Sequence, residues 1–329
     1  MSEQARPNFG PAGAGDRAGS PPAAGGKGWK YATLAVLAGL ALYYPVGMAL
    51  FHRVGDDTAL SLSEAEASGA ESRAVAMMAK LIQREVAEGH WAANDPFFHP
   101  GTLLDNMPNF QQGMMAALAR IAFELVDQIG RVRGSSQTDK DLQAASGQLQ
   151  YPGTRWIFDF KVSWAPTASS EAQYRAARGA LVAYNKRLGQ GQAIFERRAD
   201  NLLATIDRIA LDIGSSSATI DSQIRDAPNW LIDTKADDVF YGVKGQCYAY
   251  YLVLRELAAD FPQVMREKEL AGTWGNMLDS LKRCAELAPW VVVNGAPDSQ
   301  LLPSHLAGLG FFLLRARTQL REISNILLK

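Results

Sequence analysis

The sequence predicts an all-α fold: a helical bundle with one N-terminal transmembrane helix and one short extended segment. Three observations carry this. A run of 21 residues, Tyr31 to Phe51, contains no charge. Nearly everything from Ser61 onward places apolar residues at helical spacing between capping and stop signals. A single stretch of any length, "RWIFDFKVSWAP", alternates with period two instead.

Residues 1–28 are more than half Gly, Ala and Pro, with one aromatic. Such a segment cannot bury enough apolar surface to offset ordering its backbone, so it reads as a disordered cytoplasmic tail. Residues 29–52 follow as the membrane span. Its charge-free part makes a helix about 31 Å long, matching a hydrocarbon core of about 30 Å. Trp29 and Tyr31 fall where an interfacial belt would, and Pro45 bends a helix that lipid tolerates. Arg6, Arg17, Lys27 and Lys30 precede the span, while Arg53, Asp56 and Asp57 follow it. The positive-inside bias then puts the N-terminus in the cytoplasm and residues 53–329 outside it. In a Gram-negative cell this is a single-pass inner-membrane protein with a periplasmic helical domain. A cleaved signal peptide competes, with Gly47-Met48-Ala49 as the cleavage site. A long leader before the apolar run, and apolar residues beyond that site, favour the uncleaved anchor.

Within the exported part, Ser63-x-x-Glu66 resembles a capping box. "ESRAVAMMAKLIQREVAEG" follows, with Val75, Met78, Leu81, Ile82 and Val86 on one face and Gly89 as stop. Asn109-x-x-Gln112 reads as a second capping box. It opens a helix that closes on Arg131, Arg133 and the terminator Gly134. A shorter helix covers residues 138–149. Tyr174, Leu181, Leu188, Phe195, Leu202 and Ile209 are then seven apart, which predicts one long helix with a soft middle at Gly189 and Gly191. Its second seam is poorly filled (Gly191, Arg198, Thr205, Asp212), so the stripe reads as core within this chain rather than as an intermolecular coiled coil. Three helices complete the chain. The first is capped by Thr234-x-x-Asp237, the second is stopped by Pro289, and the third has Pro303 near its first turn. Asp237 and Asp238 read as helix-start residues rather than as a general acid and base.

The alternating stretch places Trp156, Phe158, Phe160, Val162 and Trp164 on one face. "WVVVN" at 290–294 is the other strand-like run, and the two could pair as a ribbon. Either the aromatics cover helix surface, or Trp156, Phe158, Phe160 and Trp164 form a ridge presented to a protein partner. Cys247 and Cys284 each sit on an apolar helix face. If their helices run antiparallel about residues 261–272, the thiols stand at similar heights, either as a disulfide in an oxidising compartment or as two buried thiols.

The stretch "HWAANDPFFHPGTLLDNMPNFQQG" concentrates metal-capable residues: His90, Asp95, His99 and Asp105. Pro96, Pro100 and Pro108 interrupt it, and its polar residues equally suit turns and helix starts. The reading taken is a clasp between helices. In it Asn94-Asp95-Pro96 turns through a side chain bonding its own backbone, and Phe97, Phe98, Leu103 and Leu104 bury into the bundle. On that reading Phe98→Ala costs about 3–5 kcal/mol. No zinc-hydrolase, paired-thiol, serine-hydrolase or nucleotide-loop signature occurs, so no catalytic, cofactor-binding or metal residue is assigned and no cofactor is expected. "RGSSQTDKD" (133–141) reads as an ordinary loop rather than an anion site. A net charge of −1 disfavours a nucleic-acid partner.

"NDPFFHPGTLLDNMPNFQQG", "IGRVRGSSQTDKDL", "FERRADNL" and "KADDVFYGVKGQCYAYY", in that order behind an N-terminal span, resemble domain-of-unknown-function family 2333 of proteobacteria. The resemblance covers nearly all of the chain after the leader. It implies an inner-membrane protein of the bacterial envelope and transfers no activity or catalytic residue. The expected function is a non-catalytic, membrane-anchored scaffold or adaptor with an envelope protein partner. The alternatives are a membrane-tethered periplasmic metal-dependent hydrolase using the His90–Asp105 cluster, and a small-ligand or lipid-binding module.

Overall fold

In the computed structural model the described residues are 28–51, 53–100, 102, 104–130, 138–158, 164–226, 233–296 and 299–329. Among them every regular element is helical: α1 (Gly28–Phe51), α2 (Glu64–Gly69), α3 (Arg73–Gln83), α4 (Asn106–Glu124), α5 (Lys140–Leu149), α6 (Ser170–Gly189), α7 (Ala199–Asp226), α8 (Thr234–Asp260), α9 (Pro262–Glu267), α10 (Ala271–Glu286) and α11 (His305–Leu328). The chain divides into two units, Met1–Tyr43 and Tyr44–Lys329. The expected tail falls on residues outside those described, apart from Gly28, which opens α1.

In the first unit Trp29, Tyr31, Leu34, Val36, Leu37, Leu40 and Leu42 are all exposed along α1. Among the described residues no helix is long and apolar enough to cross a membrane. The charge-free run continues through residues 48–51, whose side chains lie outside those described.

In the second unit α8 is the hub. Residues 243–250 are buried without a break, which a helix shows only when neighbours surround it. It packs against α3, α4 and α10, with α5 and α6 beyond α3 and α4, and α11 and α7 beyond α10. The closest approach is to α4. A Cβ on Gly113 would fall on the carbonyl of Gly242, and one on Gly245 on the carbonyl of Phe110. Backbone meets backbone there because neither helix places a side chain between them. Two of the motifs behind the family resemblance, ending at Gly113 and spanning Gly242–Gly245, thus touch.

The predicted capping box is present: Ser63 Oγ accepts from the Glu66 amide and Glu66 accepts from the Ser63 amide. Val75, Met78, Leu81, Ile82 and Val86 are buried as their spacing requires. Both α3 and α4 finish in a π turn, Arg84–Glu88 and Leu125–Ile129, closed by the amides of Gly89 and Gly130. Gly130, not Gly134, therefore ends the second helix; residues 131–137 lie outside those described.

Four further expectations are corrected. The heptad stripe does not run along one helix. Arg187 and Leu188 carbonyls accept from the Gln192 and Gly191 amides, and Gly191 takes φ +68°. That is a Schellman stop with glycine in the left-handed position. The six stripe residues are buried all the same. Phe195 reaches the core from the loop and packs against Phe261, while α6 serves α3 and α5 and α7 serves α11. The Asn109–Gln112 box is absent because α4 starts earlier, at Asn106. Pro108 then sits in the first turn, where a missing amide hydrogen costs nothing. The cap of α8 is Asp233, which accepts from Lys235 and Ala236 amides, rather than Thr234.

The fourth concerns the extended segment, of which residues 159–163 lie outside those described. Among the described residues there is no strand, only one isolated bridge between Asn294 and Ser304. Around Trp156 the backbone bends, and its carbonyls are taken by the approach to α6: Ile157 accepts from Thr167, and Arg155 from Ser170. "WVVVN" is no ribbon partner. Val292 and Val293 turn inward, and Trp290 stands in solvent.

Candidate metal centre and aromatic edge

The loop after α3 is pinned at its start. The Trp91 ring is buried, donates from Nε1 to the Gly153 carbonyl at 2.8 Å and packs edge-on against Tyr174. Gln111, fully buried on α4, accepts from the Ala92 amide and donates to the His90 carbonyl and to Glu85. Asn94 donates to the Arg155 carbonyl and to Glu171. It does not turn the chain on its own backbone, as the clasp reading expected. The turns are backbone-made, with bonds from Asp95 to Ala92, His99 to Pro96 and Thr102 to His99.

These turns bring three of the four metal-capable residues together. His90 Nε2 lies 2.9 Å from both carboxylate oxygens of Asp95, and His99 Nδ1 lies 2.9 Å from Asp95 Oδ2. The two imidazoles stack with centroids 4.9 Å apart and planes 20° from parallel. The Asp95 side chain is 8% exposed, while those of His90 and His99 are 40% and 22% exposed. The hydrogen bond to Asp95 holds the His90 pKa above its ordinary value, against a smaller opposing effect of burial.

Asp105 is not part of this group. It precedes α4 and faces Asp238, so its charge acts on the first turn of α8. Burial first, then the charges of Asp105 and Asp238, push the Asp237 carboxyl up to about 6. Asn109 donates to Asp238 at 2.6 Å, the bond that replaces its expected capping role.

The phenylalanines of the same loop overturn the clasp reading. Phe97 is 82% exposed and Phe98 53%. Leu104 is also exposed, and Leu103 lies outside the described residues. Instead of entering the bundle they form an outer chain of edge-to-face rings: Phe97 on Phe98 at 5.5 Å, Phe98 on Trp156 at 6.1 Å, Trp156 on Phe158 at 5.5 Å. Trp164 is also exposed, and Phe160 lies outside the described residues. At this edge Tyr44, in the last turns of α1, donates its hydroxyl to the Phe97 carbonyl at 3.4 Å.

Cys247 and Cys284 meet as the antiparallel argument expected. Their Sγ atoms are 2.7 Å apart and fully buried. A separate cleft of about 710 Å³ runs along α4 toward Tyr151 and Tyr174, with Arg120 and Asp212 in its wall.

The chain matches the family described as "Uncharacterized protein conserved in bacteria (DUF2333)" over residues 52–229 and 221–328. The protein belongs to this family. No curated protein and no solved structure matches the chain. In this DUF2333 chain, sequence reasoning missed that the loop phenylalanines extend the Trp156 ridge. The available signal was their lack of any helical period, which marks them as free of the core as readily as clasped into it. It also missed the strap that residues 56–60 make along α8, since Asp56 and Asp57 read from the sequence only as charges flanking the span.

Proposed function

We propose that this protein is a single-pass, membrane-anchored helical scaffold of the bacterial envelope, acting without catalysis. Its N-terminus lies in the cytoplasm and residues 53–329 form a periplasmic domain that holds an envelope protein partner. The observation that carries this reading is the aromatic edge in which exposed Phe97, Phe98 and Phe158 are joined through half-buried Trp156, with Trp164 exposed as well. Contiguous exposed rings of this kind mark interaction surfaces, where aromatic side chains dominate the energetics. The anchor is supported by the charge-free run, the exposed apolar face of α1 and the excess of Lys and Arg before it.

The segment after α1 supports a scaffold as well. Asp56 pairs with Lys244, the Asp57 carbonyl accepts from Tyr248, and Thr58 and Leu60 carbonyls accept from Arg255. Thr58 also donates to Glu286. A membrane-tethered hydrolase is the second reading, favoured by the convergence of His90, Asp95 and His99 and weakened by the separation of Asp105.

The deciding experiment is photo-cross-linking in native membranes from positions 97 and 164 of the full chain. Adducts to one protein, lost when Phe98→Ala and Phe158→Ala are added to a chain that stays membrane-bound after alkaline wash, support the scaffold. Adducts that are absent, or unchanged in the variant, remove it. Release by the alkaline wash removes the anchor.

A further inference from the structure

We propose that His90, Asp95 and His99 bind one divalent first-row transition ion, with zinc the best fit. The ion would close the loop that carries Phe97 and Phe98. Two imidazole nitrogens and one carboxylate oxygen are a borderline-soft set that suits zinc and its neighbours, whereas calcium and magnesium require mostly oxygen. The donor atoms lie within 4.8 Å of one another, and Asp95 Oδ2 is already 2.9 Å from a nitrogen of each histidine. Bonds of about 2.0–2.1 Å in a tetrahedron put ligand atoms roughly 3.3 Å apart. Asp95 then withdraws from each ring by about 0.4 Å, and the two histidine nitrogens close to the same spacing from within 4.8 Å by side-chain rotation.

The surroundings are arranged as such a site requires. The backbone of His90 is fixed by buried Gln111, and the turns from Pro96 to Thr102 fix His99. Asp95 is the least exposed of the three side chains and His90, 40% exposed, meets solvent, so a water would supply the fourth ligand. The chemistry balances simply: the ion replaces protons held between the imidazoles and the carboxylate, and these leave to solvent. In the ion's absence the same groups bond to one another. Closing the 90–99 loop with a metal holds the turn on which Phe97 and Phe98 stand, between two of the ligands.

The test uses the full-length chain, stripped with chelator and titrated with Co(II) and Zn(II). The expected result is one ion per chain, d–d absorption of a four-coordinate cobalt, displacement by zinc, and a zinc-dependent rise in melting temperature. Binding should weaken at least tenfold in His99→Gln and in Asp95→Asn, and remain unchanged in Asp105→Asn. Each variant's zinc-free melting curve separates a lost ligand from a lost fold. No stoichiometric ion, or binding that survives His99→Gln and Asp95→Asn, overturns the proposal. Equal loss in Asp105→Asn overturns the three-residue assignment.

Discussion

The Lys244 ammonium, almost wholly buried in the middle of α8, lies 2.6 Å from Oδ2 of Asp56 and 2.5 Å from the carbonyl of Leu287. One side chain thus holds the segment that follows α1 and the end of α10 to the hub of the bundle. Removing either partner should have unequal effects. Asp56→Asn leaves a buried charge without its counter-ion and is expected to destabilise by about 3 kcal/mol. Lys244→Met leaves an Asp56 that is a third exposed and can hydrate, so the change should stay within about 1 kcal/mol. Denaturant titration of both variants checks the asymmetry; equal losses would mean the pair is not the source.

In the loop after α3, stability resides in Trp91 rather than in the phenylalanines. Trp91 is 2% exposed and bonded through its indole, so Trp91→Ala should cost about 3–5 kcal/mol. Phe98→Ala should cost under about 1 kcal/mol, as expected of an exposed surface residue. Thermal melts of the two variants side by side decide this. A large loss in Phe98→Ala would restore the clasp.

Asp237 predicts a pH dependence. The unfolded carboxyl titrates near 3.8, but in the fold it holds its proton up to about 6 because of burial and the nearby Asp105 and Asp238. The folded state therefore binds more protons across that window, and stability falls as pH rises through it and stays lower above. Asp237→Asn should raise the melting temperature at pH 7.5 and give no gain at pH 3.5. A gain at both values, or at neither, contradicts the assignment.

The two cysteines predict a redox-dependent stability. If the domain folds in the periplasm, Cys247 and Cys284 are placed to close a disulfide without moving their helices. The bond spans 37 residues, and the loop-entropy model puts its stabilisation at about 4 kcal/mol. Acid-trapped protein from the native compartment, alkylated and weighed, should lack two alkyl groups. Two labelled thiols would show the pair to be packing alone.

Where residues carry their own local physics, the sequence was legible. Ser63 with Glu66 made its box, and the buried face of α3 followed from spacing. The heptad run from Tyr174 was right about burial and wrong about continuity. Periodicity reports which side faces the core, and it says nothing of a left-handed glycine that turns the chain while keeping phase. Phe97 and Phe98 were misplaced for a related reason: hydrophobicity argues for burial without saying whether a cavity exists to receive the ring. His90, Asp95 and His99 came together because three consecutive turns have compatible sizes, a tertiary fact that residue spacing alone does not contain. Asp105, close in sequence, was carried away by the start of α4.

The glycine seam between α4 and α8 also works as a ruler. Contacts made of side chains can shear, because rotamers readjust as helices slide. Here the carbonyls of Gly242 and Phe110 lie where a Cβ on Gly113 or Gly245 would collide, so sliding by even one position is blocked. The loop that runs into α4 and the lysine that grips the strap on α8 are therefore kept at a constant separation.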